Sequence, residues 1–372
     1  MKYYIIAGEA SGDLHGSNLM KSIFQKDTSA QIRFWGGDLM RDAGGTLVKH
    51  YRELAFMGFA EVVMNLRTIL NNIEICKKDI LKFNPDVIIF IDYPGFNMRI
   101  AKWAKNLNIK THYYISPQIW AWKENRIKAI KRDVDKMYVI LPFEKDFYEK
   151  KHNYPVDFVG HPLIDAIQNR VKTDTEDFKK EHQLSDKPII ALLPGSRKQE
   201  IAKMLSEMLS VVDDFPEYQF VIAGAPSQEY SFYKQFLTQT NIKFISNKTY
   251  DLLSISHAAL VTSGTATLET ALFKVPEVVL YKGNWISYQI AKRIITLKYI
   301  SLVNLIMDKE VVTELIQDDC NRNRIKKELT RILDPQHRSV LLGEYHQLEK
   351  KLGGQGASAK TAQLIISELL TK

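Results

Sequence analysis

Short apolar runs alternate with helical patterns along the first half of the chain, which is the rhythm of strand–helix units. Runs at residues 3–7, 32–36, 87–91, 111–115, 137–141 and 156–159 read as strands with helices between them. From 168 to 187 the chain turns polar and charged, a linker with one helix in it. The alternation then restarts, with strands expected at 189–193, 220–223, 259–262 and 278–281 and helices near 200–212 and 265–273. A last amphipathic helix is expected over 360–370. Strands that are apolar on both faces belong in parallel sheets covered by helices on both sides. The expected class is therefore α/β, with two Rossmann-like doubly wound domains over 1–167 and 186–345 facing across a cleft. Residues 346–372 are expected to return to the first domain or to reach a partner chain.

Ligands of such sheets bind beyond the carboxyl ends of the strands, so the segments that follow the strands carry the candidate chemistry. After the first strand comes Ala7-Gly8-Glu9-Ala10-Ser11-Gly12-Asp13, small enough for close backbone approach and opening a helix whose free N–H groups attract anions or hydroxyls. The competing reading is a tight turn capped by Ser11 or Asp13. Ile91-Asp92-Tyr93-Pro94-Gly95-Phe96-Asn97 places a carboxylate at the end of a strongly apolar strand, suited to a general base or to a turn-forming Asp. Ser116-Pro117-Gln118-Ile119-Trp120-Ala121-Trp122 offers two indoles for stacking on a sugar or for plain packing.

In the second half, Leu193-Pro194-Gly195-Ser196-Arg197 ends a strand and begins a helix. Backbone N–H groups, Ser196 and the forked donors of Arg197 suit a diphosphate. Ser263-Gly264-Thr265-Ala266-Thr267-Leu268-Glu269 is a second hydroxyl-rich helix start, where Glu269 could accept from a ribose diol or act as a capping acid. Facing walls carrying Asp92 and Arg197 would join one sugar to another from a nucleotide-activated donor.

Composition narrows the classes without naming one. The chain has 372 residues, 45% of them hydrophobic, and a net charge of +8. No apolar run is long enough to cross a bilayer, and the apolar start is cut short by Glu9, so a cytoplasmic chain is expected. Cys76 and Cys320 have neither metal nor redox spacing, and no metal site or cofactor is expected. The basic balance admits phosphorylated substrates or anionic lipid, while the lack of a basic run or reading motif argues against nucleic acid. Phe56, Phe59, Val62, Val63, Leu66, Ile69, Leu70 and Ile73 share one helical face, with Met57 and Met64 widening the apolar set, and a core face is the first reading.

Several of these segments occur together. Gly8-Glu9-Ala10-Ser11-Gly12-Asp13, Ser116-Pro117-Gln118-Ile119-Trp120-Ala121-Trp122, Leu141-Pro142-Phe143-Glu144, Gly160-His161-Pro162, Leu193-Pro194-Gly195-Ser196-Arg197 and Ser263-Gly264-Thr265-Ala266 stand in the order seen in lipid-A-disaccharide synthases. The chain resembles that family over nearly its whole length. The resemblance implies a GT-B fold with an acceptor domain first and a UDP-sugar domain second. It implies an inverting transfer from UDP-2,3-diacylglucosamine to 2,3-diacylglucosamine 1-phosphate that gives a β-1,6 disaccharide and UDP.

On this resemblance Asp92 and Arg197 look like the catalytic pair. Glu9, Ser11, Gly12, Asp13, Gln118 and Trp122 become acceptor contacts, while Gly195, Ser196, Ser263, Gly264, Thr265, Glu269 and Asn304 become donor contacts. Asn304 lies in Ser301-Leu302-Val303-Asn304, similar to a family Ser-Leu-Pro-Asn segment, with Val303 in place of Pro. Both implied substrates carry acyl chains, so the 56–73 face could meet the inner face of the cytoplasmic membrane, with Arg67, Lys77 and Lys78 near anionic headgroups. A homodimer is compatible with this reading. The alternatives are another GT-B enzyme, such as a peptidoglycan N-acetylglucosaminyltransferase or a UDP-sugar 2-epimerase, and a non-catalytic membrane-surface module. An NAD-dependent oxidoreductase is disfavoured by the missing Gly-x-Gly-x-x-Gly.

Overall fold

The apolar runs pair side by side in a computed structural model that describes residues 1–54, 66–226, 228–237, 242–283 and 298–371. The chain divides into two compact units, one made of Met1–Asn169 with Leu352–Lys372, the other of Arg170–Lys351. The first holds strands β1 (Lys2–Ala7), β2 (Gln31–Gly36), β3 (Thr46–His50), β4 (Val87–Ile91), β5 (Lys110–Tyr114), β6 (Lys136–Val139) and β7 (Asp157–Phe158). They form one parallel seven-stranded sheet in the order β3-β2-β1-β4-β5-β6-β7. The second holds β8 (Ile189–Leu193), β9 (Gln219–Gly224), β10 (Ile242–Ser246), β11 (Ser256–Thr262), β12 (Glu277–Tyr281) and β13 (Glu314–Ile316). These are also parallel, in the order β10-β9-β8-β11-β12-β13. The doubly wound α/β class read from the sequence is the one observed.

Each sheet reverses its winding direction beside its first strand, between β1 and β4 in one unit and between β8 and β11 in the other. Such reversals open a crevice at the carboxyl ends, where the crossover helices leave on opposite faces. The central strands Val87–Ile91 and Ile189–Leu193 are buried at every position, each large aliphatic side chain contributing about 1.5–3 kcal/mol. Edge strands β3, β10 and β13 mix polar and apolar positions and escaped the sequence reading. Helix Thr175–Glu181 lies within the polar stretch after 168, and Asp174 caps it through the backbone N–H groups of Glu176 and Asp177.

The end of the chain rejoins the first unit. Helix Ala357–Leu370 packs against helix Ala10–Lys26, and the Asp165 carboxylate caps its start by accepting from the backbone N–H groups of Gly356 (2.7 Å) and Ser358 (3.0 Å). Gly160, at φ +93, has Leu352 O at 3.2 Å from the position a Cβ would take, and His161 N–H donates to that same carbonyl. The Gly-His-Pro segment is therefore the seat on which the returning chain lands. Replacing Asp165 with Ala should cost about 1–2 kcal/mol, the usual loss of a helix cap. Urea denaturation followed by circular dichroism would measure it, and an unchanged midpoint would remove the cap from this account.

Candidate functional site

In the first unit, strand register brings the expected residues to one edge. Ala7 pairs with Ile91 and Ile91 with Tyr114, so Glu9, Asp92 and Ile115 all follow neighbouring strand ends at the β1/β4 reversal. Three non-glycine residues there have left-handed backbones: Asp92 (φ 44), Tyr93 (φ 49) and the β-branched Ile115 (φ 64). Such conformations cost on the order of 1–3 kcal/mol each and persist only when the surroundings enforce them. The enforcement is visible. The Asp92 carbonyl accepts from Asn97 Nδ2 (2.7 Å) and from the buried Tyr113 hydroxyl (2.5 Å). A Cβ on Gly8 would lie 2.3 Å from the Tyr93 ring, so only glycine lets that ring close over the first turn.

Burial is the main reason the Asp92 carboxyl holds its proton up to about pH 6. The negative charge of Glu9 adds to this, and the Tyr93 backbone N–H opposes it. Glu9 is exposed at the head of helix Ala10–Lys26 and makes no capping bond there. Ser11 is exposed on the first turn, and Gly12 lies against Ala7, where a Cβ would meet the Ala7 side chain at 3.1 Å.

Asp13 corrects the sequence reading. It does not cap its own helix. It is buried and accepts from the backbone N–H groups of Gly37 (2.7 Å), Leu39 (3.1 Å) and Met40 (3.0 Å), capping helix Asp38–Ala43. Burial lowers His15 to about 4 and His161 to about 3, so both imidazoles are neutral at pH 7.

The loop after β5 is tied down by Glu144, the buried acid of the Leu141-Pro142-Phe143-Glu144 segment. It accepts from Ser116 Oγ (2.5 Å), Trp120 Nε1 (3.2 Å) and the backbone N–H groups of Ile140 (3.1 Å) and Leu141 (2.8 Å). Four donors on one carboxylate explain why Ser116-Pro117-Gln118-Ile119-Trp120 and Leu141-Pro142-Phe143-Glu144 occur together. Gln118 is exposed, and Trp122 is 50% exposed with Lys123 Nζ 4.1 Å from its ring centroid.

In the second unit Leu193 pairs with Val261, so the turns after β8 and β11 are neighbours at the reversal. Gly195 takes φ +100, and a Cβ there would lie 2.2 Å from Glu200 Oε2, which accepts from Ser196 N–H (3.0 Å). Ser196 and Arg197 are exposed, Arg197 standing at the head of helix Lys198–Leu209. Gly264 and Thr265 are exposed at the head of helix Thr265–Leu272, and Ser263 Oγ donates to the Ile300 carbonyl (3.0 Å). Glu269 accepts from the Tyr250 hydroxyl (2.8 Å), and burial raises its proton affinity. Two helix starts and one exposed guanidinium form an anion-favouring edge.

Asn304 lies away from solvent. It is fully buried, its Nδ2 donates to Val312 O (2.8 Å) and Glu314 Oε1 (2.9 Å), and its Oδ1 accepts from the N–H groups of Val311 (2.7 Å) and Val312 (3.0 Å). With its four side-chain hydrogen bonds made, it holds a loop. Val303 sits in the first turn of helix Leu302–Met307, where Ser301 caps the chain, so either Val or Pro fits the backbone.

Phe56, Met57, Phe59, Val62, Val63 and Met64 lie outside the described residues, as does the Leu66 side chain. The rest of that expected face divides. Ile69 packs against the core and Ile73 is buried, whereas Leu70 is 51% exposed beside a groove of about 460 Å³ lined by Ile73, Glu74, Lys77 and Arg99. One residue of helix turns a side chain by about 100°, which is why neighbours part company.

A family model described as lipid-A-disaccharide synthetase matches residues 3–366. The chain is 38% identical over 366 residues to a lipid-A-disaccharide synthase of Coxiella burnetii (strain CbuG_Q212), covering 97% of this chain and 96% of that one. It is 38% identical over 372 residues to another from Geobacter metallireducens, covering 98% and 96%. Among solved structures, UDP-GlcNAc 2-epimerase from Neisseria meningitidis aligns with a TM-score of 0.67 at 13% identity, covering 100% of each chain. A glycosyltransferase from Rickettsia africae aligns with a TM-score of 0.59 at 12% identity, covering 100% and 99%. At such identities the structural likeness shows the fold alone, which is GT-B.

Glu9→Gln removes one of the two influences that hold the Asp92 proton, so the midpoint of Asp92 should move below about 6. Carboxyl-carbon NMR titration of the labelled side chain would show the shift, and an unmoved midpoint would break the Glu9–Asp92 link.

Proposed function

Because the chain belongs to the lipid-A-disaccharide synthetase family, we propose that it joins UDP-2,3-diacylglucosamine to 2,3-diacylglucosamine 1-phosphate, releasing UDP. The observation that carries this reading is the family match over residues 3–366, which spans both strand-end clusters. The chemistry those clusters can perform agrees with it. Asp92, with its midpoint near 6, is largely ionised at neutral pH, yet basic enough to take the proton of an attacking hydroxyl. As that oxygen bonds to the anomeric carbon, the carbon–oxygen bond to UDP breaks on the opposite face and the configuration inverts. The departing diphosphate would gain charge beside Arg197 and the starts of helices Lys198–Leu209 and Thr265–Leu272. In this reading Gly195, Ser196, Ser263, Gly264 and Thr265 line the donor side, and Glu269 would accept from the ribose. Gln118 and Trp122 supply exposed polar and aromatic surface for the acceptor sugar.

The apolar groove beside Leu70 supports a contact with acyl chains at the membrane surface. Lys77 and Arg99 on its rim suit anionic headgroups. No helix among the described residues is long and apolar enough to cross a membrane, so such a contact would be peripheral.

Asp92→Asn should lower kcat by about 10²–10⁴-fold, the range for loss of a general base, while UDP affinity stays near that of the native chain. A UDP-release assay with both acylated substrates measures the first and calorimetry the second; normal turnover would refute the assignment. Because the ionised carboxylate is the working form, kcat/KM of the native chain should rise with pH through about 6 and then level off. A profile flat from pH 5 to 8 would exclude Asp92 as the base. Leu70→Ser together with Lys77→Gln should weaken flotation with anionic liposomes, and unchanged flotation would remove the groove from membrane contact.

A further inference from the structure

The two indoles of the loop after β5 have different surroundings. Trp120 packs edge-on against Phe143, with ring centroids 4.8 Å apart, and donates its Nε1 proton to Glu144, so it is a pin within the fold. Trp122 is 50% exposed and draws two cations. Lys123 Nζ lies 4.1 Å from its ring centroid and the Arg126 guanidinium carbon 5.8 Å, both within the range of cation–π attraction. Lys123 has a left-handed backbone (φ 57), uncommon for a residue with a side chain, where it heads the short helix Glu124–Arg126.

Neither cation has a carboxylate partner among the described residues. Glu124, the acid that stands between them in sequence, is held by Lys151 (2.7 Å) and His152 (3.0 Å). An indole face attracts a cation but has no net charge with which to neutralise it. The pair also has a defined place. Tyr114 pairs with Ile91, so the loop leaves the sheet beside Asp92. Burial and then the Asp92 charge raise the Tyr113 phenol, and the Arg126 charge opposes them. That phenol donates to the Asp92 carbonyl, so Arg126 stands within electrostatic reach of the hydroxyl that holds Asp92 in place.

We propose that Lys123 and Arg126 are the specificity-determining contacts for a phosphomonoester on the acceptor, with Trp122 against the sugar ring that carries it. The inference rests on the reaction proposed above, whose acceptor bears a 1-phosphate. Such a group carries a charge of about −1.5 to −2 at pH 7, which two cations match and one does not. The fork of Arg126 suits two phosphate oxygens and the flexible ammonium of Lys123 a third. An acceptor with a free 1-hydroxyl would leave both charges uncompensated.

The test uses the full chain and compares UDP release with 2,3-diacylglucosamine 1-phosphate and with 2,3-diacylglucosamine, each in the same neutral detergent. Lys123→Gln combined with Arg126→Gln keeps two long side chains beside the indole and removes their charge. The kcat/KM ratio of phosphorylated to unphosphorylated acceptor should be high in the native chain. It should fall about 10–100-fold in the double variant, the loss carried by KM. Lys123→Arg, which keeps the charge, should retain the native ratio, and UDP affinity by calorimetry should be native in both. Should circular dichroism show the double variant unfolded, Lys123→Gln alone is read in its place. A ratio unchanged by loss of charge, or an equal loss on both acceptors, would overturn the assignment and leave the reaction standing. No UDP release by the native chain with either acceptor would overturn the reaction and this inference with it. Loss of flotation with anionic liposomes at an unchanged ratio would give the cations to lipid headgroups instead.

Discussion

Both sheets are parallel and covered on both faces, so their strand interiors have no surface on which to meet a substrate. Polar side chains can work only where the strands stop, and the hydrogen-bond register decides which of them become neighbours. The pairings of Ala7 with Ile91 and of Ile91 with Tyr114 align Glu9, Asp92 and Ile115 on one edge. The pairing of Leu193 with Val261 does the same for the turns around Arg197 and Thr265. A one-residue slip in β4 would turn its side chains to the opposite faces and move Asp92 off that edge.

Buried and half-buried acids in this chain sort by the number of donors that meet them. Asp13, Glu144 and Asp165 each accept from two or more N–H or O–H groups, and each fastens one segment to another. Asp92 and Glu277 lack that company. Burial raises the proton affinity of both, and Asp92 stands at a strand end where a substrate could supply the missing partner. In Asp92 the backbone does the fastening instead, since Asn97 and Tyr113 hold its carbonyl and leave the carboxyl less constrained. The left-handed pair at 92 and 93 is the strain that this arrangement sustains.

The uninterrupted apolar runs that became β1, β4 and β8 were plain in the sequence because burial on both faces leaves no polar alternation to confuse them. Strand β3, with every residue at least partly exposed, and the three-residue β13 carry no such signature. Asp92 and Arg197 could be singled out because position after a strand is a local property. The role of Asp13 was not readable, since its partners at Gly37, Leu39 and Met40 are brought to it by the fold and not by spacing. Asn304 shows the opposite failure. A family-like motif pointed to a ligand, whereas its four hydrogen bonds, all within the second unit, were invisible until the loop at 311–314 was in place. Asn97 had one local clue, an amide one turn into a helix that begins with a Pro-Gly pair.

The return of Ala357–Leu370 to the first unit makes Arg170–Lys351 an insertion within it. A ribosome releases the chain from its amino end, so all of the inserted unit emerges before the helix that completes the unit begun first. Until then the face of helix Ala10–Lys26 that receives it, and the backbone around Gly160, must wait without their partners. The second unit can therefore acquire its sheet before the first is sealed, so the part synthesised earliest is among the last to be finished.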